Sequence, residues 1–190
     1  MISVLFVAKN SVYKTLTDSS GQPLDCWDED RDALKWPGGN SIVAHPPCRL
    51  WCALSHLSTA PESERKLAFF AIESVRKWGG ILEHPAHSKF WTAANLPRPG
   101  HKDEYGYCIE IPQYWFGHPA DKETWLYFSG VGWLGLPNIP IKLGEAPERF
   151  SHQPVRNPRP EIKRHFRSAT PIAFARWLVE TAERCSVMTK

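Results

Sequence analysis

A short β-branched run that ends in two prolines constrains the fold of this chain more than any other stretch. Ile42 and Val43 are typical of a buried strand, and Pro46-Pro47 cannot continue a β-ladder, so the chain has to turn sharply here. Proline also restricts the residue before it, which makes the turn rigid. We therefore expect Cys48 to be held in a nearly fixed direction at the carboxyl edge of a sheet, where open α/β folds bind ligands. Taken alone, Cys48 would more often be a buried structural cysteine.

A helical pattern follows this turn and leads to a second short strand. Apolar residues recur at helical spacing after Pro61, and Gly79-Gly80 can stop the helix. Residues 80–85 then have the pattern of a strand, and a strand-helix-strand unit predicts two parallel strands. Glu83 would end the second strand at the same edge as Cys48.

The remaining pattern predicts two further strands, a hairpin and a final helix. The apolar run 3–8 is typical of a strand buried on both faces of a sheet, and residues 24–27 predict another short strand. Residues 107–111 and 124–128 predict an antiparallel hairpin at the sheet's edge. Pro171 can begin a helix with one apolar face. The fold class predicted is α/β, with a mixed sheet and flanking helices.

Length and composition predict a single domain over residues 1–190. A chain of 190 residues with 42% hydrophobic and 23% charged residues can bury one core, and its 17 prolines favour rigid loops, such as residues 88–102. No run approaches the ~20 apolar residues of a membrane span, so we expect no membrane partner. Five cysteines without a secretory leader before them predict a reduced, cytoplasmic protein.

Basic charge is concentrated in a proline-rich segment before the final helix, residues 149–168. Its part 149–167 holds six Lys/Arg and one Glu, a net charge of +5, so the rest of the chain sums to −2 against the total of +3. The segment is either a solvated tail or a surface that contacts nucleic-acid phosphates. The phosphate-contact candidates are Arg156, Arg159, Lys163, Arg164 and Arg167.

An acidic cluster follows the second predicted strand, over residues 28–32. Such a cluster is usually a solvated loop. In nucleotide-binding α/β folds, however, an acid at the end of the second strand accepts hydrogen bonds from a ribose. Asp28 is the candidate for that role.

Three segments form a set whose order matters. Pro46-Pro47-Cys48 looks like a nucleophile motif, Glu83-His84-Pro85 looks like a Glu-Asn-Val/Pro motif, and residues 113–124 look like the hairpin that follows it. In this order they resemble the catalytic half of the cytosine carbon-5 DNA methyltransferases, and more closely the small methyltransferase-like proteins of bacteriophages. The likeness covers residues 41–128.

The resemblance implies a Rossmann-like, class I methyltransferase-like domain and a covalent mechanism. In that mechanism the thiolate of Cys48 attacks carbon 6 of a pyrimidine while Glu83 hydrogen-bonds or protonates ring nitrogen 3. Carbon 5 then becomes nucleophilic enough to accept a methyl group. Since a free thiol is a poor nucleophile, a neighbouring cation such as Arg49 or a histidine would favour the thiolate.

The resemblance also implies S-adenosylmethionine as cofactor and DNA or a pyrimidine nucleotide as partner. The implied cofactor-binding residues are Ala8, Lys9 and Asn10 after the first strand, together with Asp28 and Pro46. The sequence differs from the family in three respects: no glycine-rich turn follows the first strand, His84 replaces an asparagine, and 190 residues leave no room for a separate target-recognition domain.

Two alternatives remain open at this point. The spacing of His45, Cys48, Cys52 and His56 could coordinate zinc. The chain could also be a DNA-binding or inhibitory protein that keeps the fold without catalysis. The missing glycines favour that alternative, and the pairing of Cys48 with Glu83 opposes it.

Overall fold

The computed structural model describes residues 1–53, 55–150 and 159–185, which form a six-stranded sheet flanked by helices. The strands are β1 (Ser3–Leu5), β2 (Asp25–Trp27), β3 (Ile42–Ala44), β4 (Gly80–Pro85), β5 (Gly106–Pro112) and β6 (Glu123–Ser129). The α-helices are α1 (Arg65–Trp78), α2 (Lys89–Ala93) and α3 (Ile172–Glu183). Within the described residues, no helix is both long enough and apolar enough to cross a membrane.

The strand order is β2-β1-β3-β4-β6-β5. Strands β1 to β4 are parallel, while β6 is antiparallel to both of its neighbours, so β5 runs in the same direction as β4. Strands β1 and β3 are neighbours in the sheet. From β1 the chain adds β2 on one side, and from β3 it adds β4 on the other side, so the strand order reverses between β1 and β3. The carboxyl ends of β1, β3, β4 and β5 therefore meet at one edge, which we call the carboxyl edge.

The two faces of the sheet carry separate cores. Val4 packs in the cluster that contains α3, whereas its neighbour Leu5 packs in the cluster that contains α1. Successive side chains of a strand point to opposite faces, so α1 and α3 cover opposite sides of the sheet. This arrangement confirms the α/β fold with a mixed sheet that the sequence predicts.

The predicted strand-helix-strand unit and hairpin are both confirmed. Strands β3 and β4 pair in parallel with Ala44 opposite Leu82, and β5 and β6 pair antiparallel. Helix α1 begins at Arg65, after a 3₁₀ turn at Glu62–Glu64 that follows Pro61. It ends at Trp78 and is capped by Gly79, whose positive φ of 77° is one that glycine tolerates.

The interpretation of residues 88–102 as a loop was wrong for their first part, which forms α2. The Ser88 hydroxyl accepts a hydrogen bond from the backbone N–H of Phe90 and so caps the helix. Phe90 and Trp91 are buried in the α1 face of the core. A single turn fixed by a cap and by tertiary burial gives too short a periodic signal to be recognised in the sequence.

Gly80 allows β3 and β4 to approach each other closely. Its φ is 130°, and a Cβ at this position would overlap the backbone carbonyl of Ile42. Gly100 also has a positive φ, 82°, but nothing lies within 4 Å of the place its Cβ would take. Alanine substitutions at these two positions therefore distinguish two destabilising effects. Both introduce an unfavourable φ, but only the substitution at Gly80 also causes overlap with the backbone of a neighbouring strand.

We expect Gly80→Ala to destabilise the fold more than Gly100→Ala. The strained φ alone should cost about 1 to 2 kcal/mol in Gly100→Ala. In Gly80→Ala the overlap with β3 adds to that cost, so the loss should reach about 3 kcal/mol or more. Urea unfolding monitored by tryptophan fluorescence measures both values, and equal losses would contradict the close contact of these strands.

Candidate active site at the carboxyl edge

A cavity of about 720 Å³ opens outside the carboxyl ends of β1, β3 and β4. Residues 6–8 and 10–13 after β1 form one wall, and residues 45–48 after β3 form another. Glu83 and Pro85 of β4, Lys122 before β6, and residues 165 and 167–170 complete the lining. A volume of this size lies within the range of small-molecule sites, roughly 300–1,000 Å³.

Cys48 and Glu83 share this cavity, as the parallel pairing of β3 and β4 predicts. Cys48 begins a helical turn, since its carbonyl accepts hydrogen bonds from the backbone N–H groups of Trp51, at 2.8 Å, and Cys52, at 3.0 Å. Glu83 follows Leu82, which is buried against α1, so its own side chain points to the opposite face. The two side chains are thus presented by separate but adjacent strand ends.

A chain of hydrogen-bonded side chains surrounds Glu83, and we call it the polar chain. His45 Nδ1 lies 2.9 Å from Oε2 of Glu83, and Gln113 Nε2 donates to Oε1 at 3.1 Å. On one side His45 Nε2 is 2.8 Å from the hydroxyl of Tyr13, and on the other Gln113 Nε2 donates to Thr124 Oγ1 at 2.9 Å. The five members come from five different segments of the chain.

The polar chain determines the charge of Glu83. Burial alone would raise the pKa of this carboxyl, but the hydrogen bond and charge of His45, with the charge of Lys122, lower it to about 2. Glu83 is therefore a carboxylate near neutral pH and accepts the hydrogen bond from His45 Nδ1–H. Which group donates at Nε2 depends on whether His45 is neutral or protonated, because a neutral ring would accept from Tyr13 there.

Lys122 brings a positive charge to the same wall. Its ammonium donates to the carbonyl oxygen of Ala169 at 3.0 Å. Burial lowers the pKa of Lys122, while the negative charges that Glu83 and an ionised Cys48 would carry raise it. Lys122 is thus the cation that electrostatically links the carboxylate and the thiol.

The Cys48 thiol is neutral in the free site. Burial raises its pKa, the charge of Glu83 raises it further, and Lys122 only partly opposes these effects. Arg49, the cation expected beside the thiol, is directed elsewhere: its Nε donates to Glu64 at 2.8 Å, and its side chain is 64% exposed. Among the described residues, Arg49 is not part of the cavity wall, because the helical turn that starts at Cys48 turns it toward α1.

The structure brings together three of the five residues implied for cofactor binding. Ala8, Asn10 and Pro46 line the cavity. Lys9 instead forms an ion pair with Asp30 at 3.2 Å. Asp28 is bound by Lys14 Nζ at 2.5 Å and by the backbone N–H of Arg31, so it is not placed on the described wall.

The basic segment divides into partly buried cations that are held in ion pairs and exposed cations. Arg167 lines the cavity and pairs with Glu161 at 2.5 Å. Arg159 is held by Asp121 at 2.9 Å and by the carbonyl oxygen of Ala146, so its role here is structural support. Lys163 and Arg164 are exposed. Arg156 lies outside the described residues.

The four residues considered for zinc do not gather into a site. His45 is bonded to Tyr13 and Glu83, and His56 is exposed on a 3₁₀ turn at Ser55–Leu57. Throughout the described ranges, no three His, Cys, Asp or Glu side chains are grouped so that they could hold a metal ion. This geometry gives the zinc alternative no support.

Sequence reasoning missed the partners of Glu83. Tyr13 was not singled out, and His45 was considered only as a zinc ligand. Gln113 and Lys122 lay within the hairpin motif without a role. Each of these residues follows or precedes a predicted strand at the carboxyl edge, and that position is the signal that could have identified them.

Comparisons of this chain with protein-family models, with curated proteins and with solved structures found no match. The chemistry of the site therefore rests on its geometry. A cysteine, a fixed carboxylate with a bonded histidine, and a nearby lysine line one cavity. Such a set can combine nucleophilic attack with proton placement on a bound ring.

His84, the neighbour of Glu83, points into the core on the α1 side. Its ring is fully buried, lies 5.2 Å from Phe90 and 6.3 Å from Trp91, and has no hydrogen-bond partner at either nitrogen among the described residues. Burial lowers its pKa to about 4, and the charge of Glu83 only partly opposes this. His84 is therefore neutral in the folded protein at neutral pH.

We expect the stability of the protein to decrease between pH 6.5 and pH 4 because of His84. Below about pH 6.5 the ring is protonated in the unfolded chain but stays neutral in the folded protein. The contribution of His84 to the free energy of unfolding is therefore complete above pH 6.5 and is lost as the pH falls to about 4. The loss should be about 3 kcal/mol. Urea unfolding at about pH 7, 5.5 and 4 measures how the free energy of unfolding depends on pH. His84→Leu should make this dependence weaker, whereas the exposed control His101→Leu should leave it unchanged. The same dependence in the wild type and in both variants would contradict the assignment.

Proposed function

We propose that this chain is a pyrimidine-base-modifying enzyme in which Cys48 adds covalently to carbon 6 of the ring. The product would carry a new substituent at carbon 5, most simply a methyl group. The observation that carries the proposal is that Cys48 and Glu83 line one cavity from the ends of adjacent parallel strands. The resemblance to cytosine carbon-5 DNA methyltransferases supports the same assignment.

The sheet order supports a Rossmann-like domain. In open α/β sheets, ligands bind outside the carboxyl ends of the strands, where the strand order reverses. Here the reversal lies between β1 and β3, and the segments after these two strands form the cavity walls. The proposed substrate thus occupies the position at which this architecture binds ligands.

The proposed reaction uses the wall residues in distinct roles. Attack by sulfur on carbon 6 opens the carbon 5–carbon 6 double bond and spreads negative charge over carbon 5 and nitrogen 3, where a proton would balance it. Glu83 would hydrogen-bond that side of the ring, and Lys122 supplies the positive charge that favours the thiolate of Cys48. Because the free thiol is neutral, the thiolate has to form when substrate enters the cavity.

The donor of the one-carbon group that the resemblance implies is S-adenosylmethionine. The residues present fit it only in part, since Ala8, Asn10 and Pro46 line the cavity while Lys9 and Asp28 are engaged in ion pairs. Phe6, at the end of β1, has a φ of 63° and lines the cavity, so a strained aromatic residue stands where a glycine-rich turn would approach the cofactor. We derive no step through this group.

The proposed partner is DNA or a pyrimidine nucleotide, and the proposed environment is the cytoplasm. The cavity can hold a nucleotide-sized ligand, and the exposed cations Lys163 and Arg164 lie just before its wall residues 165 and 167–170. All five cysteines are free thiols, which suits a reducing compartment.

The test of the covalent step is exchange of the carbon-5 hydrogen for deuterium. Addition of sulfur at carbon 6 makes carbon 5 basic, so deuterium from D₂O replaces the hydrogen there without any methyl donor. Mass spectrometry of dCMP, dUMP and a cytosine-containing single strand should show exchange with the wild-type chain. Cys48→Ser should abolish it, Cys52→Ser should retain it, and Glu83→Gln should slow it by about 10²-fold or more.

A covalent complex provides the second measurement. With S-adenosylmethionine present, a 5-fluorocytosine strand should trap a protein–DNA adduct, because fluorine at carbon 5 blocks the final elimination. The adduct should require Cys48 and tolerate Cys52→Ser. Deuterium exchange at carbon 5 that persists in Cys48→Ser would contradict the proposed role of this thiol.

A second candidate is a DNA-binding or inhibitory protein on the same fold without catalysis. The observations that favour it are the neutral Cys48 thiol and the engagement of Lys9 and Asp28 in ion pairs. This candidate predicts DNA binding by the wild-type chain with neither deuterium exchange nor an adduct.

The exposed cations of the basic segment should set the salt dependence of DNA binding. Replacing Lys163 and Arg164 together with Ala should weaken binding similarly across sequences and reduce the slope of log K against log salt by about 2. Arg159→Ala is the control, because its side chain is held by Asp121 and should change stability more than the slope. Fluorescence anisotropy of labelled DNA, measured at salt concentrations from about 50 to about 200 mM, gives this slope. If the slope is unchanged in the double variant, the segment is a solvated tail and does not contact phosphates.

A further inference from the structure

His45 lies between a buried carboxylate and a buried phenol at the cavity wall. Its Nδ1 is 2.9 Å from Glu83 Oε2, and its Nε2 is 2.8 Å from the Tyr13 hydroxyl. The side chains of His45 and Glu83 are only 14% and 12% exposed, so little water competes for these bonds. A protonated imidazole in such contact with a carboxylate can pass its proton toward a bound ligand.

The proposed addition at carbon 6 needs a proton at ring nitrogen 3. Glu83 cannot hold that proton before the reaction, since its pKa of about 2 keeps it ionised near neutral pH. Tyr13 is an unsuitable source because burial, and then the charge of Glu83, raises its pKa well above the usual value. The titratable and charged groups that share the wall with His45 are Tyr13, Cys48, Glu83, Lys122, His165 and Arg167.

Among these groups, His45 is the titratable side chain whose ring nitrogen bonds directly to Glu83. The other contact of Glu83 is the amide of Gln113, which has no transferable proton near neutral pH. Lys122 points its ammonium at the carbonyl of Ala169. Among the groups of the cavity wall, the hydrogen bonds therefore leave His45 Nδ1 as the direct source of a proton for Glu83.

We propose that His45 holds the proton that ring nitrogen 3 receives through Glu83, an inference that rests on the function proposed above. The Cys48 thiol first loses its proton to water. As the Sγ–carbon 6 bond forms and the carbon 5–carbon 6 double bond opens, the His45 imidazolium gives its Nδ1 proton to Glu83, and nitrogen 3 takes a proton from that carboxyl. Carbon 5 then gains a deuteron from solvent and loses its own proton to solvent. When the Sγ–carbon 6 bond breaks, its electron pair returns to sulfur, the carbon 5–carbon 6 double bond forms again and the nitrogen 3 proton returns through Glu83 to His45, so the cycle consumes no net proton.

Tyr13 is the positioning residue of this arrangement. Its side chain is 1% exposed, and its ring centroid lies 5.2 Å from that of His45. The hydroxyl can accept from Nε2–H of an imidazolium and can donate to Nε2 of a neutral ring. It therefore keeps the imidazole oriented toward Glu83 in both protonation states.

The test is the pH profile of carbon-5 deuterium exchange in dCMP and in a cytosine-containing single strand, with the full chain. His45→Gln keeps an amide donor for Glu83 but has no transferable proton. Its exchange should fall by about 100-fold near neutral pH, and its pH profile should differ in shape from the wild-type profile, because the proton then comes from solution.

Three further variants separate this role from a structural one. His101→Gln changes an exposed histidine that does not line the cavity and should leave the shape of the profile intact. Tyr13→Phe should lower exchange less than His45→Gln does, since the imidazole keeps its contact with Glu83 and loses only its partner at Nε2. In His45→Ala, added imidazole should restore part of the exchange, which a merely unfolded site could not show.

The outcomes distinguish the inference from the function on which it rests. Exchange by the wild-type chain together with an unchanged profile shape in His45→Gln would overturn the role of His45 and leave the covalent mechanism in place. No exchange by the wild-type chain with either probe would overturn both.

Discussion

The negative charge of Glu83 is the constraint on which the carboxyl edge depends. Moving a carboxylate out of water costs several kcal/mol unless hydrogen bonds and opposite charge replace its hydration. His45 supplies one donor from the loop after β3, and Gln113 supplies another from the turn after β5. His45 is in turn hydrogen-bonded to Tyr13, and Gln113 is hydrogen-bonded to Thr124. The need to solvate the carboxylate of Glu83 therefore holds five segments of the chain in place relative to one another.

The antiparallel strand β6 makes this convergence possible. It lies between β4 and β5, so β5 ends and β6 begins at the edge where Glu83 is found. The backbone N–H of Gln113 donates to the carbonyl oxygen of Lys122 at 2.9 Å, which closes the hairpin and places both side chains beside Glu83. A parallel strand in the same place would have put its first residues at the opposite edge.

The main elements of the fold, and the pairing of Cys48 with Glu83, could be predicted from the sequence because both follow from local patterns. A β-branched run before a proline turn, an amphipathic helix and a second short strand require only periodicity and the parallel-crossover rule. The partners of Glu83 could not be predicted, since Tyr13 and Gln113 lie far from it in the sequence and reach it only through the strand order. Arg49 shows the converse error: it is adjacent to Cys48 in sequence, but a helical turn directs it to Glu64.

The carboxylate that organises the site also restrains its nucleophile. Burial and the charge of Glu83 both raise the pKa of Cys48, and Lys122 opposes them only in part. A cation placed directly against the sulfur, as was expected of Arg49, would give a thiolate that is ionised at all times. In the arrangement found here, the proposed ring would engage Glu83 and spread its charge, which would weaken the repulsion at sulfur while Lys122 remains in place. The reactivity of Cys48 would then depend on an occupied cavity, and the free protein would keep an inert thiol.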